Sequence, residues 1–353
     1  MAHNLSITPT ARTRRVGAKE ASPELDPRTD GRIGRIVRLL TDNATVVISG
    51  TKLADELGTS RSAVWRFVQQ LRGMGVEIAG HPATGYQLKS VPDLLLPDFL
   101  KPLVKGTIFA EGIHHYFRIG STNAEAMSAA ARGDPEGVVF VAEEQTAGRG
   151  RGGHSWLSEK SAGICCSVLL RPQMSPADTL AISLAAGLAV RAAVEEITSL
   201  AADLRWPNDV LLEGKKFCGI LIEMNAEPTR VRYLVLGIGI NVNQDSFPPG
   251  LKTEATSLRL ASGRAWSRVE LAAALLKSLH REYSALAEGH GRIGDIICRF
   301  EEASGMARGK KVRVEEESGY EGVTEGLDER GFLRVRTVEG MRTVISGGVR
   351  TVG

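Results

Sequence analysis

Residues 148–153 read Gly-Arg-Gly-Arg-Gly-Gly and suit the binding of an anion. Glycines let the backbone approach a ligand closely, and the guanidinium groups of Arg149 and Arg151 offer forked donors to a phosphate or a carboxylate. Hydrogen bonds to a charged group contribute roughly 1.5–3 kcal/mol each. We therefore expect a flexible loop that becomes ordered on its ligand. The alternative is a solvated basic loop without a function.

The same residues satisfy the pattern G-x-G-x-x-G at Gly148, Gly150 and Gly153. A dinucleotide-binding fold needs this pattern to open a helix, with an acidic residue about 20 positions later. Residues 154–163 have no helical periodicity, and no suitable acidic residue follows at a strand end. The G-K-[ST] ending of a P-loop is also missing. The sequence therefore disfavours both of these phosphate-binding sites.

Two tryptophan-containing segments come after the arginine loop. Trp156 follows it directly and either stacks on a purine or belongs to the core. Residues 205–209 read Arg-Trp-Pro-Asn-Asp and precede a predicted strand. Pro207 fixes a turn there, and Asn208 and Asp209 present the oxygen ligands that Mg²⁺ prefers. A plain turn is the alternative for this segment.

Three more segments carry candidate binding groups. Lys216 lies at the mouth of a buried strand, where a cation can neutralise charge on a reacting carboxylate and phosphate, and Gly219 follows it. Residues 237–241 read Gly-Ile-Gly-Ile-Asn, and their glycines permit close approach to the backbone. Residues 121–123 read Ser-Thr-Asn and either bind a ligand or only cap the helix that begins at Ala124.

Taken together, these segments predict a nucleotide site with an anion-binding loop, a metal-binding turn and a lysine. No Ser-His-Asp triad and no cluster of zinc ligands stands out in the sequence. This combination favours activation of a carboxylate by ATP over hydrolysis.

The elements that must position these residues alternate between strands and helices over residues 91–303. Period-two and continuous apolar runs predict strands at 140–142, 164–170, 210–212, 218–222 and 233–240. Helical periodicity predicts helices at 180–197 and 269–286. Residues 304–353 change to short alternating runs separated by glycines, which is typical of a small β-barrel of three to five strands.

Residues 31–90 predict a winged helix-turn-helix, because a first helix is followed by two short helices joined at a glycine and then by a hairpin. The last of the three helices, over residues 60–71, is the expected recognition helix. Its core face is expected to carry Val64, Phe67, Val68 and Leu71. DNA contacts are expected from Ser60, Arg61, Ser62 and Arg66, with Arg72 following on the exposed face. A small helical interaction domain is the alternative.

Charge and composition agree with this organisation. The chain of 353 residues has a net charge of +3, yet residues 31–90 hold eight Lys or Arg against four Asp or Glu, so the positive charge is concentrated near the N-terminus. The four cysteines form no CxxC pair and predict reduced thiols in a cytoplasmic protein. No apolar run predicts a transmembrane helix, and residues 1–30 predict a flexible tail instead of a secretory signal.

In this order, the segments at 121–123, 148–151, 156, 205–209, 216–220 and 237–241 resemble the biotin protein ligase family. With the winged helix in front and the barrel behind, residues 31–353 resemble its bifunctional, BirA-type subgroup. The implied fold class is α+β and multidomain. Its implied parts are a tail at 1–30, a winged helix-turn-helix at 31–90, a mixed α/β ligase domain of the biotin/lipoate type at 91–303 and an SH3-like β-barrel at 304–353.

The resemblance also implies a reaction and the residues that carry it. Biotin and Mg-ATP would form biotinyl-5′-AMP, and a lysine of a biotin carboxyl carrier protein would then accept the biotin. The implied catalytic residues are Lys216, Arg149 and Arg151. Biotin contacts would come from these three and from Ser121, Thr122, Asn123, Gln145, Gly148, Gly219 and Gly239. The nucleotide would meet Trp156, Asn208 and Asn241, and Asp209 would bind Mg²⁺.

Two positions depart from the family pattern. His154 stands where the family often has a further basic residue, and Arg205 stands where a lysine is usual.

The subgroup binds a palindromic operator as a homodimer loaded with the adenylate, so operator DNA and a second copy are implied partners, with no membrane. Two alternatives remain: a lipoate-type ligase, and a ligand-sensing transcription factor without ligase activity.

Overall fold

The computed structural model of the chain describes residues 27–353, apart from positions 74, 82–83, 91–92, 252, 288–292, 316–318, 346 and 353. The predicted tail lies outside the described residues up to position 26, and helix α1 begins at Pro27. The described residues form a small N-terminal helical unit, a central seven-stranded sheet with helices on both faces, and a C-terminal five-stranded sheet.

The N-terminal unit has the predicted order of three helices and a hairpin. Its elements are α1 (Pro27–Asp42), α2 (Gly50–Glu56), α3 (Arg61–Gly73), β1 (Ile78–His81) and β2 (Gly85–Leu88). Ser60 caps α3 by accepting a hydrogen bond from the backbone N–H of Ala63. The predicted core face of α3 is confirmed, since Val64, Phe67, Val68 and Leu71 are all buried.

Arg72 does not follow on the exposed face of α3 as expected. Its Nε and Nη2 atoms donate to the carbonyl oxygen of Ile78 at 3.0 and 2.8 Å, so the side chain ties the helix to β1. Helical periodicity placed Arg72 correctly on the helix but could not reveal this acceptor on the next element.

The central sheet has the strand order β3-β4-β5-β9-β8-β7-β6 and is antiparallel except for the β3–β4 pair. Its strands are β3 (Ile113–Tyr116), β4 (Val139–Ala142), β5 (Gly163–Leu170), β6 (Asp203–Arg205), β7 (Asp209–Leu212), β8 (Lys215–Ala226) and β9 (Val231–Asn241). Every residue of β5 is buried. This explains its continuous apolar sequence, because helices cover both faces of the sheet.

Alternate strand residues divide between those two faces. Helix α5 (Thr122–Arg132) packs its alanines against Phe140, Leu169 and Val235 on one face. The opposite face joins the main core with α6 (Leu180–Thr198) and α8 (Arg268–Ala287). The remaining helices are α4 (Pro97–Leu103), α7 (Leu258–Ser262) and α9 (Ile293–Glu302). Helix α6 is long and apolar enough to cross a membrane, but most of it is buried in this core.

The C-terminal unit is a five-stranded antiparallel sheet of order β13-β12-β11-β10-β14. Its strands are β10 (Arg308–Glu315), β11 (Tyr320–Leu327), β12 (Leu333–Thr337), β13 (Gly340–Val344) and β14 (Gly348–Thr351). The five strands fall within the three to five that the sequence predicted for this segment. The indole N–H of Trp206 donates to the carbonyl oxygen of Gly331 at 2.9 Å and connects this unit to the central sheet.

The N-terminal unit also packs on the central one. Its buried cluster extends beyond residue 90 to Leu94 and Leu96, and it includes Phe117, which follows β3. In addition, the Lys160 ammonium donates at 2.8 Å to the carbonyl oxygen of Gly73 at the end of α3. The helical unit therefore rests directly against the segments that lead into the predicted ligand site.

Candidate functional site

The predicted site residues meet on the α5 face of the central sheet. Helix α5 covers only one end of β5 and β9, and the pocket occupies the other end, over Cys165, Ser167, Gly237 and Gly239. Strand β8 continues this floor with Gly219, which pairs directly with Gly239. Because neighbouring strand residues in register share a face, the pattern of small residues makes a shallow floor.

One end of the pocket is closed by a chain of hydrogen bonds at the start of α5. The Oε1 atom of Gln145 accepts from the backbone N–H and the hydroxyl of Thr122, at 2.8 and 3.0 Å. The hydroxyl of Ser167 lies 2.6 Å from Asn123 Oδ1, and Asn123 Nδ2 donates to Glu223 at 2.9 Å. Ser121 is the N-cap of α5, with its hydroxyl 3.5 Å from the Ala124 N–H. Gln145, Thr122 and Asn123 are thus held in fixed orientations.

The arginine loop has its own backbone structure. Gly150 N–H donates to the His154 carbonyl at 2.7 Å, and Trp156 N–H donates to the Gly148 carbonyl at 2.9 Å. The turn between these bonds needs a left-handed backbone at Gly152 and Gly153, with φ of 62° and 76°. The repeated glycines therefore form a tight turn that presents the two arginines toward the pocket.

Both arginines reach across the pocket to other elements. The Nη1 atom of Arg149 lies 3.1 Å from Glu223 Oε1, and Nη1 of Arg151 donates to Asn208 Oδ1 at 3.2 Å. Burial lowers the pKa of Arg151 from its usual value, and the charge of Asp209 opposes this effect. A guanidinium remains charged in any case, so the loop brings two cations to the pocket.

Trp156 lies over the glycine floor. A Cβ atom at Gly239 would collide with the indole, and one at Gly219 would lie 3.1 Å from indole Cζ3. Gly219 and Gly239 therefore give space to Trp156, and their expected contact with biotin stays a prediction. The Lys216 ammonium is 5.9 Å from the centre of the indole ring. The indole is half-buried between the pocket and a wide cleft facing the C-terminal unit.

The turn at 205–209 and Lys216 form one ionic cluster. Asp209 Oδ1 is 2.6 Å from Lys216 Nζ, and Asp209 Oδ2 accepts from Arg205 at 2.6 Å. Asn208 Nδ2 donates to the carbonyl of Ile220 at 2.8 Å, which leaves its Oδ1 for Arg151. Lys216 is therefore aimed at the pocket by a carboxylate behind it.

Asn241 lies at the end of β9 and lines the wide cleft, but its side chain is already engaged. Its Nδ2 donates to the Thr256 carbonyl at 3.1 Å, and Gln244 Nε2 donates to its Oδ1 at 3.4 Å. In this arrangement Asn241 anchors the segment after β9, and a nucleotide contact of its side chain would share or replace one of these bonds.

The sequence comparisons agree with this geometry. Residues 119–241 match the Biotin/lipoate A/B protein ligase family, residues 32–87 match an HTH domain, and residues 308–349 match the Biotin protein ligase C terminal domain. The bifunctional ligase/repressor BirA of Bacillus spizizenii is 35% identical over 316 residues, which cover 89% of this chain and 97% of that protein. The chain belongs to the biotin protein ligase family.

Two further relatives support the membership. The biotin–[acetyl-CoA-carboxylase] ligase of Mycobacterium tuberculosis is 37% identical over 236 residues, covering 65% of this chain and 84% of that protein. The biotin protein ligase of Aquifex aeolicus, solved with biotin and ATP, superposes with a TM-score of 0.59 at 31% identity over 69% of this chain and all of that one. The fold predicted from the sequence is thereby confirmed.

A biotin protein ligase that uses Mg-ATP needs a site for the metal ion, and Asp209 could supply only one ligand to it. Among the described residues, no group of three His, Cys, Asp or Glu side chains could hold a metal ion. Lys216 Nζ lies 2.6 Å from Asp209 Oδ1 and Arg205 donates to Oδ2, so the carboxylate would exchange one of these cations for the metal ion. A single carboxylate oxygen suits a Mg²⁺ ion that is held mainly by water and substrate phosphates.

Sequence reasoning missed two polar groups of this ligase site. Glu223 contacts both Asn123 and Arg149, and Ser167 contacts Asn123 and Thr122. A signal for Ser167 exists, because it is the lone polar residue of an apolar strand and lies two positions from the floor residue Cys165. Glu223 lies at even spacing from Gly219 but directly after the predicted strand 218–222, so the sequence marked it less clearly.

The predicted DNA-contacting residues lie together at the start of α3. Arg61, Ser62 and Arg66 are exposed on one face of the helix. Ser60 is also exposed, but its hydroxyl is used in capping and lies 2.9 Å from that of Ser62. The structure therefore brings the four residues to one surface and leaves the two arginines best placed to reach a partner.

Proposed function

We propose that this protein activates biotin with ATP and transfers it to a lysine of a biotin carboxyl carrier protein. A biotin carboxylate oxygen attacks the α-phosphorus of ATP, the bond to the β-phosphate breaks, and pyrophosphate leaves. The carrier lysine, having lost a proton, then attacks the biotinyl carbonyl and AMP leaves. The observation that carries this proposal is the meeting of Arg149, Arg151 and Lys216 at one pocket over a floor of small residues.

The three cations suit the charge that the first step concentrates. A carboxylate and a triphosphate repel each other, and fixed cations at their junction offset that repulsion without reorganising in the transition state. Lys216, aimed by Asp209, would lie at the reacting carboxylate and α-phosphate. Arg149 and Arg151 would exchange Glu223 and Asn208 for the ligand's anionic oxygens.

The two ends of the pocket would hold the two substrates. Gln145, Thr122 and Asn123 offer oriented polar groups for biotin, with Gly148 in the adjoining loop. Trp156 would stack near the adenine, beside Asn208 and the wide cleft. A Mg²⁺ ion arriving with ATP would be held by Asp209 and would neutralise phosphate charge. With the loop over the adenylate, water would be kept from a hydrolysable mixed anhydride.

The carrier protein and a second copy of the chain need a surface beside this pocket. Strand β7 pairs with β8 only from Lys215 to Gly219. Among the described residues, the part of β8 beyond Gly219 therefore pairs with β9 and with no other strand. An open strand edge can accept a strand from a partner. We assign carrier docking and homodimer formation to this side of the sheet.

The helical unit would bind operator DNA when the adenylate is bound, and the protein would act as a biotin-responsive repressor in the cytoplasm. Support comes from the exposed Arg61 and Arg66 on α3 and from the match to BirA proteins. A gel-shift assay on biotin-synthesis promoters, with and without biotin and ATP, tests this part separately from the ligase.

The ligase proposal is tested by transfer of labelled biotin to a purified carrier domain with ATP and Mg²⁺. Wild-type protein should transfer biotin, and Lys216→Ala should lose the activity while it still binds biotin. Labelled lipoate serves as the competing substrate. Transfer of lipoate instead of biotin would establish the lipoate-type alternative. Biotin binding without any transfer by the wild-type protein would favour a sensor without ligase activity.

A further inference from the structure

Trp65 is an exposed aromatic side chain on the recognition helix. It is 55% exposed, whereas every other Phe, Trp and Tyr among the described residues is buried or partly buried. A tryptophan carries a large apolar surface and is enriched where proteins meet their partners. An isolated exposed aromatic at this position therefore points to a partner that covers it.

The position of Trp65 on α3 indicates the kind of partner. One face of the helix carries residues at alternating spacings of one and three, namely Arg61, Ser62, Trp65, Arg66 and Gln69. The opposite face supplies the buried core residues of α3. The tryptophan thus lies in the middle of the surface that the operator proposal assigns to DNA.

The charge around Trp65 favours DNA over an apolar protein groove. Helix α3 contains three arginines and no acidic residue. Arg72 is turned away to the Ile78 carbonyl, so Arg61 and Arg66 are the cations of α3 on the exposed face that carries Trp65. Cations would fix the helix on phosphates, and an apolar group between them would face the base edges.

In the major groove, the 5-methyl group of thymine is the apolar group that distinguishes one base from the others. We propose that Trp65 contacts a thymine methyl group in each operator half-site and so contributes to sequence recognition. This inference rests on the operator binding proposed above. Gln69, one turn further along the same face and partly buried, would lie beside the neighbouring base.

The experiment uses the full chain loaded with biotin, ATP and Mg²⁺. Duplexes are first selected from a random library by the wild-type protein. Each thymine of the selected duplex is then replaced singly by uracil, which removes the methyl group and keeps the base pair. Loss of one buried methyl group should weaken wild-type binding about fourfold at one position of each half-site.

The variants separate the methyl contact from general binding. Trp65→Ala should bind the selected duplex at least tenfold more weakly and should no longer respond to uracil at that position. Trp65→Phe should keep part of the response. Val338→Ala removes another exposed apolar side chain, between β12 and β13 of the C-terminal unit, and should bind like the wild type. Biotin transfer should be unchanged in all three variants, because none of these residues belongs to the ligase pocket.

The outcomes distinguish this inference from the operator proposal. If Trp65→Ala binds as tightly as the wild type, or keeps the same uracil response, the thymine contact is wrong while operator binding stands. If the wild-type chain enriches no sequence, the operator proposal and this inference both fail. A second protein that binds the wild type but not Trp65→Ala would then identify the surface as a protein interface.

Discussion

Lys216 Nζ lies 2.6 Å from Oδ1 of Asp209, and the other oxygen of this carboxylate is bound by Arg205. The carboxylate sits between two cations, so Lys216 is held at the mouth of its strand. The ion pair therefore restricts the four rotatable bonds of a half-exposed lysine side chain and so orients its ammonium group.

The Lys216–Asp209 pair yields the first prediction. Lys216→Ala should lower the rate of adenylate formation about 10²–10³-fold, the usual range for the loss of one electrostatic donor. Asp209→Asn should lower it less, because the lysine remains but loses its orienting partner. The rate of ATP–pyrophosphate exchange measures both effects. Lys215→Ala, an exposed neighbour, is the control and should be close to wild type; an equal loss there would refute a specific role for Lys216.

A second prediction follows from the contact between Gly239 and Trp156. In Gly239→Ala the new methyl group would collide with the indole, and a displacement of this kind costs about 1–3 kcal/mol. We expect the KM for ATP to rise while the KM for biotin changes less. Gly120→Ala is the matched control, because a Cβ there would have nothing within 4 Å. Equal increases in both KM values would contradict a nucleotide-side position for Trp156.

Glu223 gives the third prediction. Glu223→Gln keeps an oxygen that can accept from Asn123 but loses the ion pair with Arg149, whereas Glu223→Ala loses both. The KM for biotin should therefore rise more in the alanine variant than in the glutamine variant. Glu227→Ala tests a nearby carboxylate that is paired with Arg232 outside the pocket, and its KM should not change. Identical kinetics of all three variants would remove Glu223 from the site.

The fourth prediction concerns the buried pair of Glu143 and Arg268. Burial alone would raise the pKa of Glu143, but the hydrogen bond from His115 and the charge of Arg268 outweigh it and lower the pKa to about 2. A carboxyl whose pKa is lower in the folded state stabilises the fold above its unfolded pKa. The stabilisation, on the order of 3 kcal/mol, should be lost as pH falls from about 5 to 2.

Urea unfolding at several pH values measures this effect. Glu143→Gln should be less stable at pH 7, because it leaves Arg268 without its buried partner, and its stability should fall less steeply below pH 5. Glu144→Gln is the control, since its carboxylate is partly exposed and contacts Arg118 at 3.5 Å. A wild-type slope in Glu143→Gln would assign the acid sensitivity to other carboxylates.

The sequence predicted most of what depends on local patterns. The buried face of α3, helix α6 and strands β5 and β9 were found within a few residues, because continuous apolar runs and helical periodicity mark them. Strand β8 was found in part: the prediction ended at Ile222, and the strand continues to Ala226. Its outer part is more exposed, so hydrophobicity no longer marks it.

The partners of the site residues could not be predicted in the same way. The ion pair between Arg149 and Glu223 joins residues 74 positions apart, and the pair between Asn123 and Glu223 joins residues 100 positions apart. Such contacts depend on strand order and register, which one sequence does not specify. The acceptors of Arg72 and Asn241 could not be predicted for the same reason, since each side chain donates to a backbone carbonyl on another segment.

Phe117 belongs by position to the central sheet and by packing to the N-terminal unit, together with Leu94 and Leu96. A shortened enzyme that began after residue 90 would expose these three side chains to water as an apolar patch prone to association. Shortening the protein in the laboratory therefore calls for polar replacements at these positions. A descendant that lost its N-terminal unit in evolution should carry the same replacements as a trace of the unit it once had.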